Sequence, residues 1–310
     1  MPPIEGNDLH ATVEAQIAPG TLLNDADVQS FVAHLRARHG DNTVAILMYG
    51  SYLRGKRDTV LDFYVLLDKL SATLSPGQAL ANRLLPPNVY HVHLSDPGLR
   101  AKYATISLHQ FVSAMSRPLD CYFWARFAQP VACVYVREPS ARDDVVGALT
   151  LACRTFIERT AGLMPPTFDS ASFWQTGFAA TYATELRAER SGGADALYHN
   201  HQRAFDDRLC AYAAGERGVM DRPDGSRFSK RDAPGRRQWV WWVRRVAGKS
   251  LSVLRLIKAA ATFEDGLAYL LWKIERHSGI YIEPSDRQLK HPLLFAWPLL
   301  WRLYRRGAFR

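Results

Sequence analysis

The chain has 310 residues, 47% hydrophobic and 22% charged, with 20 glycines and 17 prolines, which excludes collagen-like, low-complexity and wholly disordered classes. Its four cysteines (Cys121, Cys133, Cys153, Cys210) form no CxxC pair, arguing against a disulfide scaffold or structural zinc site. The formal net charge of +9 is uneven: residues 222–310 carry +12 and the remainder −3.

Residues 1–22 read as a flexible arm. Asn24 or Asp25 then caps a helix in DADVQSFVAHLRARHG, with Val28, Phe31, Val32 and Leu35 on one face and Gly40 ending it. TVAILMYG (43–50) and VLDFYVLLD (60–68) are β-rich apolar runs joined by the polar loop SYLRGKRDT. PGQALANRLL is a short helix, NVYHVHL (88–94) and AKYATIS (101–107) are strands, and helical patterns over 108–128 precede an edge strand at 131–138. Beyond about 140 the periodicity predicts helices at 143–162, 168–190, 194–215, 237–259, 263–277 and 289–305, with a basic, Pro/Gly-punctuated linker at 222–237.

The chemistry concentrates where the first strand ends, in Tyr49-Gly50-Ser51, and the second carries Asp62 between Leu61 and Phe63. Glycine lets a triphosphate approach the backbone, serine donates to a phosphate oxygen, and a strand carboxylate holds Mg²⁺. Phosphoryl transfer needs these together because it is mostly positioning and charge neutralisation. This is the shape of a nucleotidyltransferase site, although a strand-turn-strand with an incidental aspartate accounts for the same residues. A second metal carboxylate two residues on is missing, since Tyr64 stands there. Asp68 has the right parity but lies about 20 Å along an extended strand, too far to share a metal.

The segment ILMYGSYLRGKRDTVLDFYVLLD resembles the signature of the mitochondrial-type phosphatidate cytidylyltransferases (the translocator assembly and maintenance family). Further segments follow in order: ANRLLPPNVYHV, AKYATIS, FWARFAQPV, TYATELRAER and SVLRLIKAAATFEDGLAYLLWKIERHSG. The absence of a transit peptide from MPPIEGNDLH suggests a bacterial-type member. The resemblance implies an α/β nucleotidyltransferase-like domain (23–140) and a mostly helical domain (141–288) completing the cleft. It implies the reaction CTP + phosphatidate giving CDP-diacylglycerol + pyrophosphate, with Mg²⁺ as cofactor. Asp62 would be the catalytic metal ligand. Tyr49, Gly50, Ser51, Lys102 and Arg126 would bind the nucleotide, and Asn88, Glu185 and Arg187 would support them. Glu185 and Arg187 also suit a solvated helix face. Where the family has a lysine before the proline of its Arg126 segment, this chain has Gln129.

Six of the eight tryptophans lie in the basic 222–310 stretch, which reads as a surface for something anionic; tryptophan favours lipid over nucleic acid. On helix 237–259 a 100° step gathers Trp239, Trp242, Val243, Val246, Val253, Leu254 and Ile257 on one arc. Arg236, Arg237, Arg244, Arg255 and Lys258 fall on the adjoining arc. Such a helix either packs its apolar arc on the core, the favoured expectation, or docks on a membrane. Residues 289–310 are expected to form an interfacial amphipathic helix. Trp297 and Trp301 would sit at the boundary, with Arg302, Arg305 and Arg306 among anionic headgroups. No apolar run approaches the roughly 20 residues that span a bilayer, so the expected location is peripheral, on the cytoplasmic face of a membrane, with no nucleic-acid partner. Two other readings stay open: nucleotidyl transfer to RNA, protein or a small molecule, and a non-catalytic nucleotide-binding module. The pairs His91/His93 and His199/His201 lack a third ligand at useful spacing and read as strand-facing or surface histidines.

Overall fold

The computed structural model describes residues 9–57, 59–94, 99–185, 193–215, 220–221, 227–230 and 237–262. The order begins α1 (Leu9–Gln16), α2 (Ala26–His39), β1 (Thr43–Tyr49), β2 (Leu61–Leu67), α3 (Pro76–Leu84), β3 (Asn88–His93) and β4 (Arg100–Ser107). It continues α4 (Leu108–Ala114), α5 (Tyr122–Phe127), β5 (Ala132–Val136), α6 (Pro139–Ala161), β6 (Thr167–Asp169), α7 (Ser170–Tyr182), α8 (Gly193–Asn200), α9 (Gln202–Ala214), β7 (Arg227–Ser229) and α10 (Arg237–Thr262).

Local chemistry sets several boundaries. Asp25 caps α2 by accepting from the backbone of Asp27 and Val28, and Gly40 stops it at φ +55°. Ser75 and Gln78 form a reciprocal capping box on α3, with Pro76 at its first position. Five strands form one sheet in the order β3-β4-β2-β1-β5. The β2–β4 pair is parallel and the other pairs are antiparallel. β1 and β2 are buried on both sides, hence their unbroken apolar runs. One face carries Ile46, Met48, Phe63, Val65 and Tyr103 and packs on Phe31 and Leu35 of α2. The other carries Leu47, Tyr64, Leu66 and Ile106 and packs under the later helices.

Several expectations need correction. Residues 9–17 are no arm: Leu9, Val13 and Ile17 are buried in the core beneath the later helices, and the Ile17 carbonyl accepts from the backbone of Cys133. Three apolar groups spaced by four residues supply enough burial to order a short helix. The predicted helix 168–190 begins only after strand β6, where Asp169 caps α7, and the predicted helix 194–215 breaks at His201 into α8 and α9. Within the predicted linker, Arg227–Ser229 pairs with β6 because Phe228 stacks on Phe168 at 6.0 Å. The boundary at 140/141 does not separate two cores. Val145, Leu149 and Phe156 of α6, Trp174 of α7 and Phe205 of α9 share one cluster with Tyr64 and Ile106 of the sheet.

Helix α10 reverses the expected facing. Trp239 and Trp242 are 63% and 64% exposed, and Val246 and Leu254 are each half exposed. Three members of the basic arc turn inward instead: Arg244 is buried and donates to the Pro118 carbonyl, Arg255 pairs with Asp120, and Lys258 donates to the carbonyls of Leu85 and Pro87. The wheel predicted the two arcs but not which faced the body. Loop carbonyls and a carboxylate on that body are satisfied by guanidinium and ammonium donors, which an apolar arc would have left unpaired. No described helix is long and apolar enough to cross a membrane. The predicted helices 263–277 and 289–305, with Trp297, Trp301, Arg302, Arg305 and Arg306, lie outside the described residues.

Candidate active site

Register builds the site. Tyr49 on β1 is opposite Asp62 on β2, Asp62 is level with Lys102 on β4, and Lys102 is opposite His91 on β3. The four therefore form a row across one end of the sheet, on the face shared by Tyr64 and Leu66. The row exists because the β2–β4 pair is parallel, so the N-terminal ends of these two strands meet where β1 ends.

Gly50 is the hinge of this corner. Its φ is +91°, a conformation L side chains rarely adopt, and a Cβ there would lie 2.8 Å from Asp62 Oδ2. The glycine thus seats the carboxylate directly against the turn. Ser51 follows, its hydroxyl 2.9 Å from that of Thr59, which joins the two ends of the loop between the strands.

Asp62 Oδ1 receives the Lys102 ammonium at 3.0 Å. Burial works against the Lys102 charge, but Tyr49 and the Asp62 carboxylate outweigh it and hold the ammonium above its usual range. Arg126 reaches over the row from α5, donating from Nη1 to the Tyr49 hydroxyl at 3.3 Å. Its guanidinium lies against the rings of Tyr122 (4.5 Å from the centroid) and Tyr49 (5.4 Å). Desolvation is again outweighed, here by Tyr122, Tyr64, Tyr49 and Glu185, and Arg126 stays well above the ordinary arginine range. Its Nε is buried with no hydrogen-bond partner among the described residues, an orphan donor in this corner.

The structure thus brings Tyr49, Gly50, Ser51, Asp62, Lys102 and Arg126 together, with Glu185 close enough to Arg126 to stabilise its charge. Asn88 does not join them. It is buried at the start of β3, level with Thr105 rather than Lys102. Its side chain donates to the Gln78 carbonyl and accepts from Lys258, because it ties α3 and α10 to the sheet. Arg187 lies outside the described residues. Asp68 stands beyond the far end of β2, 3.9 Å from Arg137. Gln129, just past α5, bonds back to the Ala125 carbonyl of that helix. Three contributors escaped sequence reasoning: Tyr122, Tyr64 and Arg255. Tyr122 stands four residues before Arg126 on one helix, a spacing that puts side chains in contact and was there to be read; Arg255, far along the chain, left no local signal.

A metal would find one carboxylate here. Among the described residues no group of three or more His, Cys, Asp or Glu side chains is placed to hold an ion. Asp62 Oδ2, however, has no protein partner among the described residues, and Mg²⁺ is commonly held by one or two carboxylates plus substrate phosphates and water. The residues fit Mg²⁺ in that mode. Lys102 and Arg126 are the two cations of the corner, set against the carboxylates of Asp62 and Glu185, and they are the groups a polyphosphate would meet.

Neither a family model nor a curated protein matches this chain.

Proposed function

We propose that the protein is a nucleotidyltransferase converting CTP and phosphatidate to CDP-diacylglycerol and pyrophosphate at a membrane surface. The observation that carries this reading is the seating of Asp62 against Gly50 with Lys102 and Arg126 on either side. That corner offers one metal-ligating oxygen, a turn without a side chain, and two fixed cations. The choice of CTP and of the lipid acceptor comes from the ordered resemblance of YGS, DF, AKYATIS and FWARFAQPV to the cytidylyltransferase signature.

In this reading Asp62 would hold Mg²⁺, which when bound neutralises phosphate charge. Gly50 lets the triphosphate lie against the turn, and the Ser51 hydroxyl donates to a phosphate oxygen. Lys102 and the Arg126 Nε–H neutralise charge on the oxygens as the α–β phosphate bond breaks, and pyrophosphate leaves with the electron pair of that bond. The attacking group is a phosphate oxygen, already anionic near neutral pH, so no side chain has to remove a proton from it. The outward tryptophans of α10 support placement at a lipid surface, because an indole suits the headgroup boundary.

The test is transfer of labelled CMP from CTP to phosphatidate in mixed micelles, with Asp62→Asn as control. Wild-type product with none from the variant is expected. Transfer to RNA or protein but not to phosphatidate would replace the acceptor with another polyanion, the reading that the +12 charge of residues 222–310 would then support.

A further inference from the structure

Arg255 of α10 is far from the reacting corner in sequence, yet its contacts lead there. Its Nη1 and Nη2 reach the two carboxylate oxygens of Asp120, which is itself only 6% exposed. Nε donates to the Pro86 carbonyl at 3.1 Å. The same guanidinium lies 4.4 Å from the Tyr122 ring centroid. Asp120 Oδ1 also accepts from the Tyr122 backbone N–H at 3.3 Å. Arg255 therefore holds Tyr122 twice, by its ring directly and by its backbone through Asp120. The Tyr122 hydroxyl is placed by Tyr64 at 3.3 Å, and the ring is the surface against which Arg126 rests at 4.5 Å.

We infer that Arg255 is a positioning residue: through Tyr122 it sets the Arg126 guanidinium over the Tyr49–Asp62–Lys102 row, making α10 part of the site. Two features favour positioning over plain packing. α5 has only six residues, too short to fix a long side chain by itself. The bidentate Arg255–Asp120 fork also has a direction that a lysine cannot reproduce. The same helix turns Trp239 and Trp242 outward, so displacement of α10 at its outer face would be felt at Arg126.

The inference rests on the reading that Arg126 meets the nucleotide's phosphates, and one arm of the test is free of that reading. The first arm is hydrogen exchange of the Arg126 Nε–H by NMR on ¹⁵N-labelled full-length protein, with the resonance assigned from Arg126→Lys. Exchange is expected to quicken at least about tenfold in Arg255→Met. Because Arg255→Met leaves the buried Asp120 carboxylate to Arg117 at 4.0 Å and the Tyr122 N–H, Arg255→Met/Asp120→Asn, which removes both charges of the fork, is measured beside it. Arg255→Lys should fail to restore the wild-type rate. In the second arm, Mg²⁺-CTP affinity should fall about tenfold in the Arg255 variants and show no further fall when Arg255→Met is added to Arg126→Met. Unchanged Arg126 exchange in the folded variants overturns the inference, as does an affinity loss that persists undiminished in the Arg126→Met background. Absence of CTP binding in the wild type would overturn the functional reading instead, while the exchange arm still decides the positioning role.

Discussion

The strand corner and α10 are both rich in charge, yet they solve opposite problems. At the corner, the charged groups are gathered from three elements and, among the described residues, left partly unsatisfied: one Asp62 oxygen and the Arg126 Nε–H have no protein partner. On α10, Arg255 and Lys258 bond inward to Asp120, Asn88 and loop carbonyls, while Trp239, Trp242, Val246 and Leu254 are left outside. Unused polar capacity in a buried corner is costly unless a ligand takes it up, whereas exposed indole is inexpensive in water but suited to a surface. In the proposed reading the first is the nucleotide site and the second the face that meets lipid.

The largest expected effect breaks the corner. Asp62→Asn keeps the volume and removes the charge opposite Lys102, so CMP transfer should fall by about 10²-fold or more with thermal unfolding near that of wild type. Retention of over a tenth of the wild-type rate would remove Asp62 from the site.

Within α10 the comparison can be made one residue apart. Trp241 is 6% exposed and lies edge-on to Trp124 at 6.3 Å, so Trp241→Ala should destabilise by about 3–5 kcal/mol. Trp239→Ser/Trp242→Ser removes only exposed rings and should leave unfolding within about 0.5 kcal/mol while abolishing co-sedimentation with phosphatidate-containing liposomes. Equal unfolding costs for the two changes would show that the outward face is covered.

Gly50 tests how tightly the turn and the carboxylate are joined. Valine there would meet Asp62 Oδ2 and adopt a strained φ, costing about 1–3 kcal/mol and weakening Mg²⁺-CTP binding about tenfold or more. Calorimetry showing unchanged affinity would separate the turn from the nucleotide.

A purely pH-dependent effect comes from the opposite face of the sheet. His39 is buried, with Nδ1 near the Thr73 hydroxyl and Nε2 without a partner among the described residues. Burial first, then the nearby Arg38 and His34, lower its pKa from 6.5 to about 4. The unfolded chain binds this proton more readily, so stability is intact above about pH 6.5 and declines as pH falls from there toward 4. The slope is at most about 1.4 kcal/mol per pH unit. His39→Gln should flatten that decline in urea titrations; an unchanged slope would place the acid sensitivity elsewhere, and the corner is the next place to look.

Much of this fold was legible in residue order because its determinants are local. The unbroken apolar runs of 43–49 and 61–67 and their length, the Asp25 cap, the Gly40 stop and the Pro76 start each act within a few residues, and β5 at the sheet edge followed from the same patterning. The joining of Gly50, Ser51 and Asp62 was legible too, since a strand-loop-strand returns the chain to its own end. Other features depended on partners far along the chain. Residues 9–17 became a core helix because the later helices offered Leu9, Val13 and Ile17 a place to bury. Residues 227–229 became a strand because Phe168 was there to stack on Phe228. Asn88 left the site because β3 entered the sheet three residues out of step with Lys102.

Sequence alone therefore determined the five strands of the main sheet, the ends of α2 and α3 and the pairing of a side-chain-free turn with one carboxylate, because backbone preference and short-range periodicity act without tertiary help. Only the tertiary structure decided that β4 runs parallel to β2, which sets Lys102 beside Asp62. It also decided that Arg126 leans on Tyr122 and that α10 turns its arginines inward. A helical wheel defines two faces but carries no information on which of them finds unpaired carbonyls and a buried carboxylate opposite. That choice belongs to the surface the helix meets.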